Sequence, residues 1–153
     1  MPSQRNEEEL TSIEDITKDA YKQDILMSLR DDDDRLSCLR LCSEDIAEEY
    51  AMYGDYHPGS SAELCWLGQF AKMSTHFDEL TLFGGDIFSS CSEQSVDRFF
   101  EDIGRCHHIR KMNFVATDLT GIMNKLGDVM KNGKITHWLA EECDLGVPEA
   151  NHL

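Results

Sequence analysis

Along residues 109–119, IRKMNFVATDL, apolar side chains fall at Ile109, Met112, Phe114 and Leu119. A helix would repeat steps of three and four residues, and a strand would alternate throughout. A wide step, one alternation and a late return instead describe a short strand that enters from a turn and then bends away. Residues 112 and 114 then face a core, while 111, 113 and 115 face outward. The same spacing recurs in LSCLRLCSEDI (36–46), FDELTLFGGDI (77–87) and ITHWLAEECDL (135–145). Positions one, four, six and eleven are Leu36, Leu39, Leu41 and Ile46; Phe77, Leu80, Leu82 and Ile87; Ile109, Met112, Phe114 and Leu119; and Ile135, Trp138, Ala140 and Leu145. Position ten is aspartate each time, as Asp45, Asp86, Asp118 and Asp144. Such a match at every chosen position in four segments marks an internal repeat.

The connecting segments change period. SAELCWLGQFAKM places Leu64, Leu67, Phe70 and Ala71 at helical spacing behind Ser61, a candidate N-cap. SVDRFFEDIG does the same with Val96, Phe99, Phe100 and Ile103, with Gly104 as a candidate C-cap. GIMNKLGDVMKNG carries Ile122, Met123, Leu126, Val129 and Met130 and predicts a helix stopped at Asn132 and Gly133. Before the first unit, residues 11–35 hold a stripe of Ile13, Ile16, Ala20, Ile25, Leu26 and Leu29, an incoming helix or N-terminal cap. Residues 1–10 are polar, with Glu7, Glu8 and Glu9 in a run, and are expected to be a disordered acidic tail. The units start near 36, 77, 109 and 135, at intervals of 41, 32 and 26 residues. The excess falls in two insertions, EEYAMYGDYHPGSS and FSSCSE.

This spacing resembles the leucine-rich repeat, L-x-x-L-x-L-x-x-N/C-x-L, and the helical connections make it most similar to the ribonuclease-inhibitor-like class. Position nine departs from the pattern as Glu44, Gly85 and Thr117, and only Cys143 conforms. The resemblance implies an α/β solenoid over residues 36–153, with four parallel strands on a concave face and helices on the convex face. The last unit is incomplete: in GVPEANHL, Pro148 and Glu149 suit the first turn of a returning helix, and no capping segment follows. The expectation is a fragment of a longer repeat protein, or an edge that pairs with another chain.

Charge narrows the partners. With 14 basic and 30 acidic residues the formal charge is -16, which disfavours nucleic acid and anionic membranes and steers toward basic protein surfaces. No apolar run approaches the roughly 20 residues of a membrane span, and MPSQRNEEEL lacks the apolar stretch of a secretory signal, so a soluble, cytoplasmic protein is expected. Six cysteines contain no C-x-x-C pair and suit free thiols in a reducing compartment.

Candidate chemistry is sparse. Asp31 to Asp34 lack the glycine and distant glutamate of a calcium loop and read as a solvated connection. Cys38 and Cys42, at the ends of one strand about 13 Å apart, cannot share a metal ion. The trio Cys106, His107 and His108 sits in a turn before a strand. No nucleophile with a base, no phosphate loop and no metal motif is present, and LFGGD offers only two glycines, so neither an enzyme nor a cofactor is expected. The four aspartates read as turn residues whose carboxylates accept backbone N–H bonds.

What remains is binding. The outward positions are Cys38, Arg40 and Cys42; Glu79, Thr81 and Phe83; Lys111, Asn113 and Val115; His137, Leu139 and Glu141. Of these, Arg40, Glu79, Thr81, Phe83, Lys111, Asn113, Val115, His137, Leu139 and Glu141 form the candidate protein-binding site, with Phe83 as anchor: apolar side chains ringed by charge resemble an interface core and rim. The alternative is a regulator of an enzyme, such as a small-GTPase activator or an enzyme inhibitor, since repeats of this class also build activators. No residue here matches an activator's functional motif.

Overall fold

A computed structural model describes residues 13–43, 52–117, 122–131, 134–141 and 143. Its strands are β1 (Cys38–Cys42), β2 (Asp55–Tyr56), β3 (Glu79–Phe83), β4 (Lys111–Val115) and β5 (His137–Glu141). All pair in parallel in the order β2-β1-β3-β4-β5. Equivalent positions of the repeat stand opposite one another: Leu39, Leu80, Met112 and Trp138 make one row, and Leu41, Leu82, Phe114 and Ala140 the next. Period-two alternation sets this register, because a slip of one residue would turn every apolar side chain to the other face.

The helices are α1 (Ile13–Ile16), α2 (Ala20–Arg30), α3 (Ser61–Ala71), α4 (Glu93–Gly104), a 3₁₀ turn (Met123–Lys125) and α5 (Gly127–Met130). Side chains cap the longer ones: Asp19 accepts from the Lys22 N–H at 3.1 Å, Ser60 from Glu63 and Ser92 from Ser95. α2 packs on α3, α3 on α4 and α4 on α5. Their apolar faces, including Leu26, Leu29, Leu64, Leu67, Phe99, Phe100 and Ile103, join Leu39, Leu41, Leu80, Leu82, Met112 and Phe114 in one core. The helices therefore cover one face of the sheet and leave the other open. No helix among the described residues is long and apolar enough to cross a membrane.

Several expectations need correction. The first insertion is more than a turn: it supplies β2, so the sheet has five strands instead of four. The N-terminal helix is interrupted at residues 17–19, where Thr17 Oγ1 accepts the Asp19 N–H at 3.3 Å. The cap of α3 is Ser60, one residue earlier than expected, while the Ser61 hydroxyl accepts the Ser92 N–H at 2.7 Å and ties the start of α3 to that of α4. α4 runs through Gly104 and is capped at Arg105. The third predicted helix is split into the 3₁₀ turn and α5. Three residues per turn change the angular phase, so Val129 stays buried while Met130 turns to solvent. Among the described residues the Asp86 carboxylate takes no hydrogen bond; its carbonyl accepts the Ser89 N–H and hydroxyl. Trp138 is 43% exposed and Ala140 is exposed, because no helix lies over β5 among the described residues. Residues 1–10, Ile46, Leu119, Leu145, Asn132, Gly133, Pro148, Glu149 and the aspartates 45, 118 and 144 lie outside the described residues.

Candidate protein-binding face

Three rows of side chains line the open face: Cys38, Glu79, Lys111 and His137; Arg40, Thr81, Asn113 and Leu139; and Cys42, Phe83, Val115 and Glu141. The half built on β1 and β3 is closed by its own polar contacts. Arg40 meets Asp55 in a two-point ion pair, Nε to Oδ1 at 2.6 Å and Nη2 to Oδ2 at 2.9 Å. Its guanidinium also lies 5.0 Å from the centroid of the Phe83 ring, so the face of that ring is occupied from within the chain. Asp55 is wholly buried and accepts the Met52 N–H as well, at 3.2 Å. Cys42 is buried, with the His57 ring hydrogen-bonded to its carbonyl at 2.9 Å. Thr81 is only 5% exposed. The Asn113 amide donates to the Glu79 carboxylate and to Thr81 Oγ1, linking β4 to β3. Burial pushes the half-buried Cys38 thiol up to about 11, and its Sγ lies 3.8 Å from Thr81 Oγ1.

The half built on β4 and β5 is open. Lys111, His137, Leu139 and Glu141 are exposed, Leu139 by 47%, while Asn113 and Val115 are half-buried. Among the described residues neither Lys111 nor Glu141 has a side-chain ion pair. Val115 stands opposite Glu141 and Leu139 opposite Asn113, so the two apolar groups lie beside charges at opposite corners of this patch that have no ion pair among the described residues. Arg40, Thr81 and Phe83 belong to the closed half and so offer a partner less surface than their outward register suggests. Asp55, which neutralises Arg40, carries no periodic signal, because a two-residue strand is too short to show one.

The other clusters are engaged. Asp32, at φ 55, accepts the Thr75 N–H at 2.6 Å, the Thr75 hydroxyl at 2.8 Å and the His76 ring N–H at 2.8 Å. Those bonds, the Thr75 backbone first, hold its carboxyl well below the usual range and raise His76 above its own. The acidic run is therefore a latch between two loops as well as a solvated connection. Burial pushes Cys106 up to about 12, and it lowers His108, whose ring lies edge-on to Phe77 with centroids 4.8 Å apart. A shallow cleft of about 330 Å³ between Phe88, Cys91, Val96, Ile122 and Lys125 holds a lysine already bonded to Asp97 at 2.6 Å and Glu93 at 3.3 Å. Among the described residues no three His, Cys, Asp or Glu side chains are placed to hold a metal ion.

No family model matches the chain, and no curated protein sequence matches it. Among solved structures, it is similar to the tropomodulin C-terminal domain of Caenorhabditis elegans at 15% identity and a TM-score of 0.48, over 80% of this chain and 65% of that one. The chain thus spans just under two thirds of that domain's length, and the likeness assigns no role to any residue here.

Proposed function

We propose that this chain is a leucine-rich-repeat module of the ribonuclease-inhibitor-like class that binds a protein partner through the β4–β5 half of its open sheet face. The observation that carries this reading is that Val115 and Leu139 share one patch with Lys111 and Glu141 at its opposite corners, with neither charge paired among the described residues. Desolvating a small apolar centre inside a charged rim is how a surface gains both affinity and orientation. The partner offers an apolar side chain to Leu139, a carboxylate to Lys111 and a cation to Glu141. At -16 overall, the chain favours a basic protein surface over nucleic acid or an anionic membrane. The reading is of a non-enzymatic binding module in the cytoplasm that needs no cofactor.

Affinity capture from the native cell tests it, with wild type, Lys111→Glu, Leu139→Ser and the helix-side control Glu101→Lys as baits. Partners that survive Glu101→Lys and are lost from both open-face variants, at unchanged thermal stability, are the expected result. Partners retained by both open-face variants and lost from Glu101→Lys would place binding on the helices and end this assignment.

A further inference from the structure

Among the described residues β5 is the outermost strand on one side of the sheet, and the alternation of its backbone fixes what it presents there. The His137 N–H donates to the Arg110 carbonyl at 3.1 Å, and the Glu141 carbonyl accepts the Ala116 N–H at 2.8 Å. The backbone groups of residues 137, 139 and 141 therefore point at β4, and those of Trp138 and Ala140 point away from it. No strand lies beyond them among the described residues. Both faces of the edge are uncovered as well. Trp138 is 43% exposed although its ring stacks at 6.4 Å from Phe114, Leu139 is 47% exposed on the opposite face, and Ala140 is exposed. Exposed backbone edges flanked by large apolar side chains are templates for another strand.

We propose that this edge pairs antiparallel with the same edge of a second copy of the chain, about a two-fold axis through Leu139. Three properties of the segment HWLAE select that partner and that register. The first is backbone parity. Antiparallel hydrogen-bonded pairs form between residues whose N–H and C=O both point at the partner, so Trp138 and Ala140 can oppose only Trp138 or Ala140 of the other copy within the strand. The second is size. Centring on Leu139 sets each Trp138 beside an Ala140, and the indole then covers the small residue on the helix side of the sheet. Centring on residue 138 would instead oppose the two tryptophans, and centring on residue 140 would oppose the two alanines. The third is charge. Only the Leu139-centred register sets His137 opposite Glu141, and it does so twice; centring on residue 138 puts Leu139 opposite His137, and centring on residue 140 puts it opposite Glu141.

The contact is isologous, so it closes as a dimer and does not propagate. A five-residue strand makes a small interface, so the dissociation constant belongs in the micromolar range or weaker. The edge shares His137, Leu139 and Glu141 with the open face of the proposed function, whereas Lys111 lies one strand inward and outside the pairing. The Lys111→Glu variant is expected to lose the protein partner and keep self-association, which separates the two assignments.

Sedimentation equilibrium of the full chain from about 5 to 500 µM tests the pairing, with weight-average mass expected to rise from 17.5 kDa toward twice that value. His137→Glu and Glu141→Lys should each weaken the dimer by about fivefold or more, because each breaks both cross-strand pairs. The double variant, with its charges reversed, should return to within about twofold of wild type. Unchanged thermal unfolding of these variants checks that the exposed substitutions leave the fold intact. Leu139→Cys, at the two-fold axis in a non-hydrogen-bonded pair with Cα atoms about 4.5 Å apart, should form a disulfide between copies; His137→Cys should not. Mass spectrometry of non-reduced peptides distinguishes that link from the native cysteines. A chain that stays monomeric at the highest concentration, a double variant no better than either single one, or linkage at 137 and not at 139 overturns the proposal.

Discussion

Asp55→Ala separates a structural role for Arg40 from a binding one. The Asp55 carboxylate is fully buried, whereas the Arg40 side chain keeps 18% of its exposure. Deleting the acid strands a guanidinium that water can still partly reach and removes the acceptor of the Met52 N–H. Breaking one partner of a fully buried pair costs about 3 to 5 kcal/mol. Residual solvation of Arg40 lowers that range, and the lost backbone bond restores about 1 kcal/mol of it, so Asp55→Ala should destabilise by roughly 3 kcal/mol. Arg40→Ala leaves the wholly buried carboxylate unpaired instead, and should cost as much or more. Replacing both with leucine removes both charges, and that variant should lie within about 1 to 2 kcal/mol of wild type.

Urea unfolding followed by far-UV circular dichroism measures these differences. With m near 2 kcal/mol per molar, a loss of 3 kcal/mol lowers the midpoint by about 1.5 M at unchanged slope. Single variants that both fall within about 1 kcal/mol of wild type would refute the pairing argument, as would a double variant at the sum of the two. The double variant should also retain partner capture, because Arg40 is held by Asp55 through Nε and Nη2 and lies in the closed half of the face.

Three further outcomes follow from the packing. Leu80→Ala should cost about 2 to 5 kcal/mol by opening a cavity under the sheet, while Leu139→Ala on the open face should change stability by about 0.5 kcal/mol or less; equal effects in urea unfolding would contradict the register. Gly68→Ala would bring a methyl to 2.9 Å from Asp102 Oδ2 and 3.4 Å from the Phe99 ring, and Asp102 is held by Lys72 at 2.9 Å. The clash should outweigh the roughly 1 kcal/mol that alanine gains in a helix, so a raised melting temperature would argue against the close approach of α3 and α4. Asp32→Asn keeps a residue that tolerates positive φ and removes the charge, so its effect should depend on pH. The lowered Asp32 pKa stabilises the fold above the ordinary 3.8 and ceases to do so as pH falls through the folded value. The raised His76 pKa stabilises below the ordinary 6.5 and ceases to do so as pH rises through its folded value. The advantage of wild type in melting temperature should therefore peak between about pH 4 and 6, and a flat difference from pH 2 to 9 would discount the latch.

The strand ladder was legible because alternation is a local property: Leu80, Leu82, Met112 and Phe114 announce their orientation from within five residues, and the register follows once helices cover that face. The Arg40–Asp55 pair was not legible, since its partners are 15 residues apart and β2 is too short to carry a period. Neither was the Asp32 latch, whose acceptor oxygens are set by a left-handed backbone at φ 55 and whose donors lie on a loop 43 residues away. β5 marks the boundary between these cases. HWLAE obeys the same spacing as the other strands and Trp138 does take the inner side, stacking on Phe114, yet it remains 43% exposed. Spacing tells which way a side chain faces, whereas burial depends on whether another element covers that face. In HWLAE the apolar pattern keeps its orientation while, among the described residues, no helix lies over it, which is why the sequence announces the direction of Trp138 and not its burial.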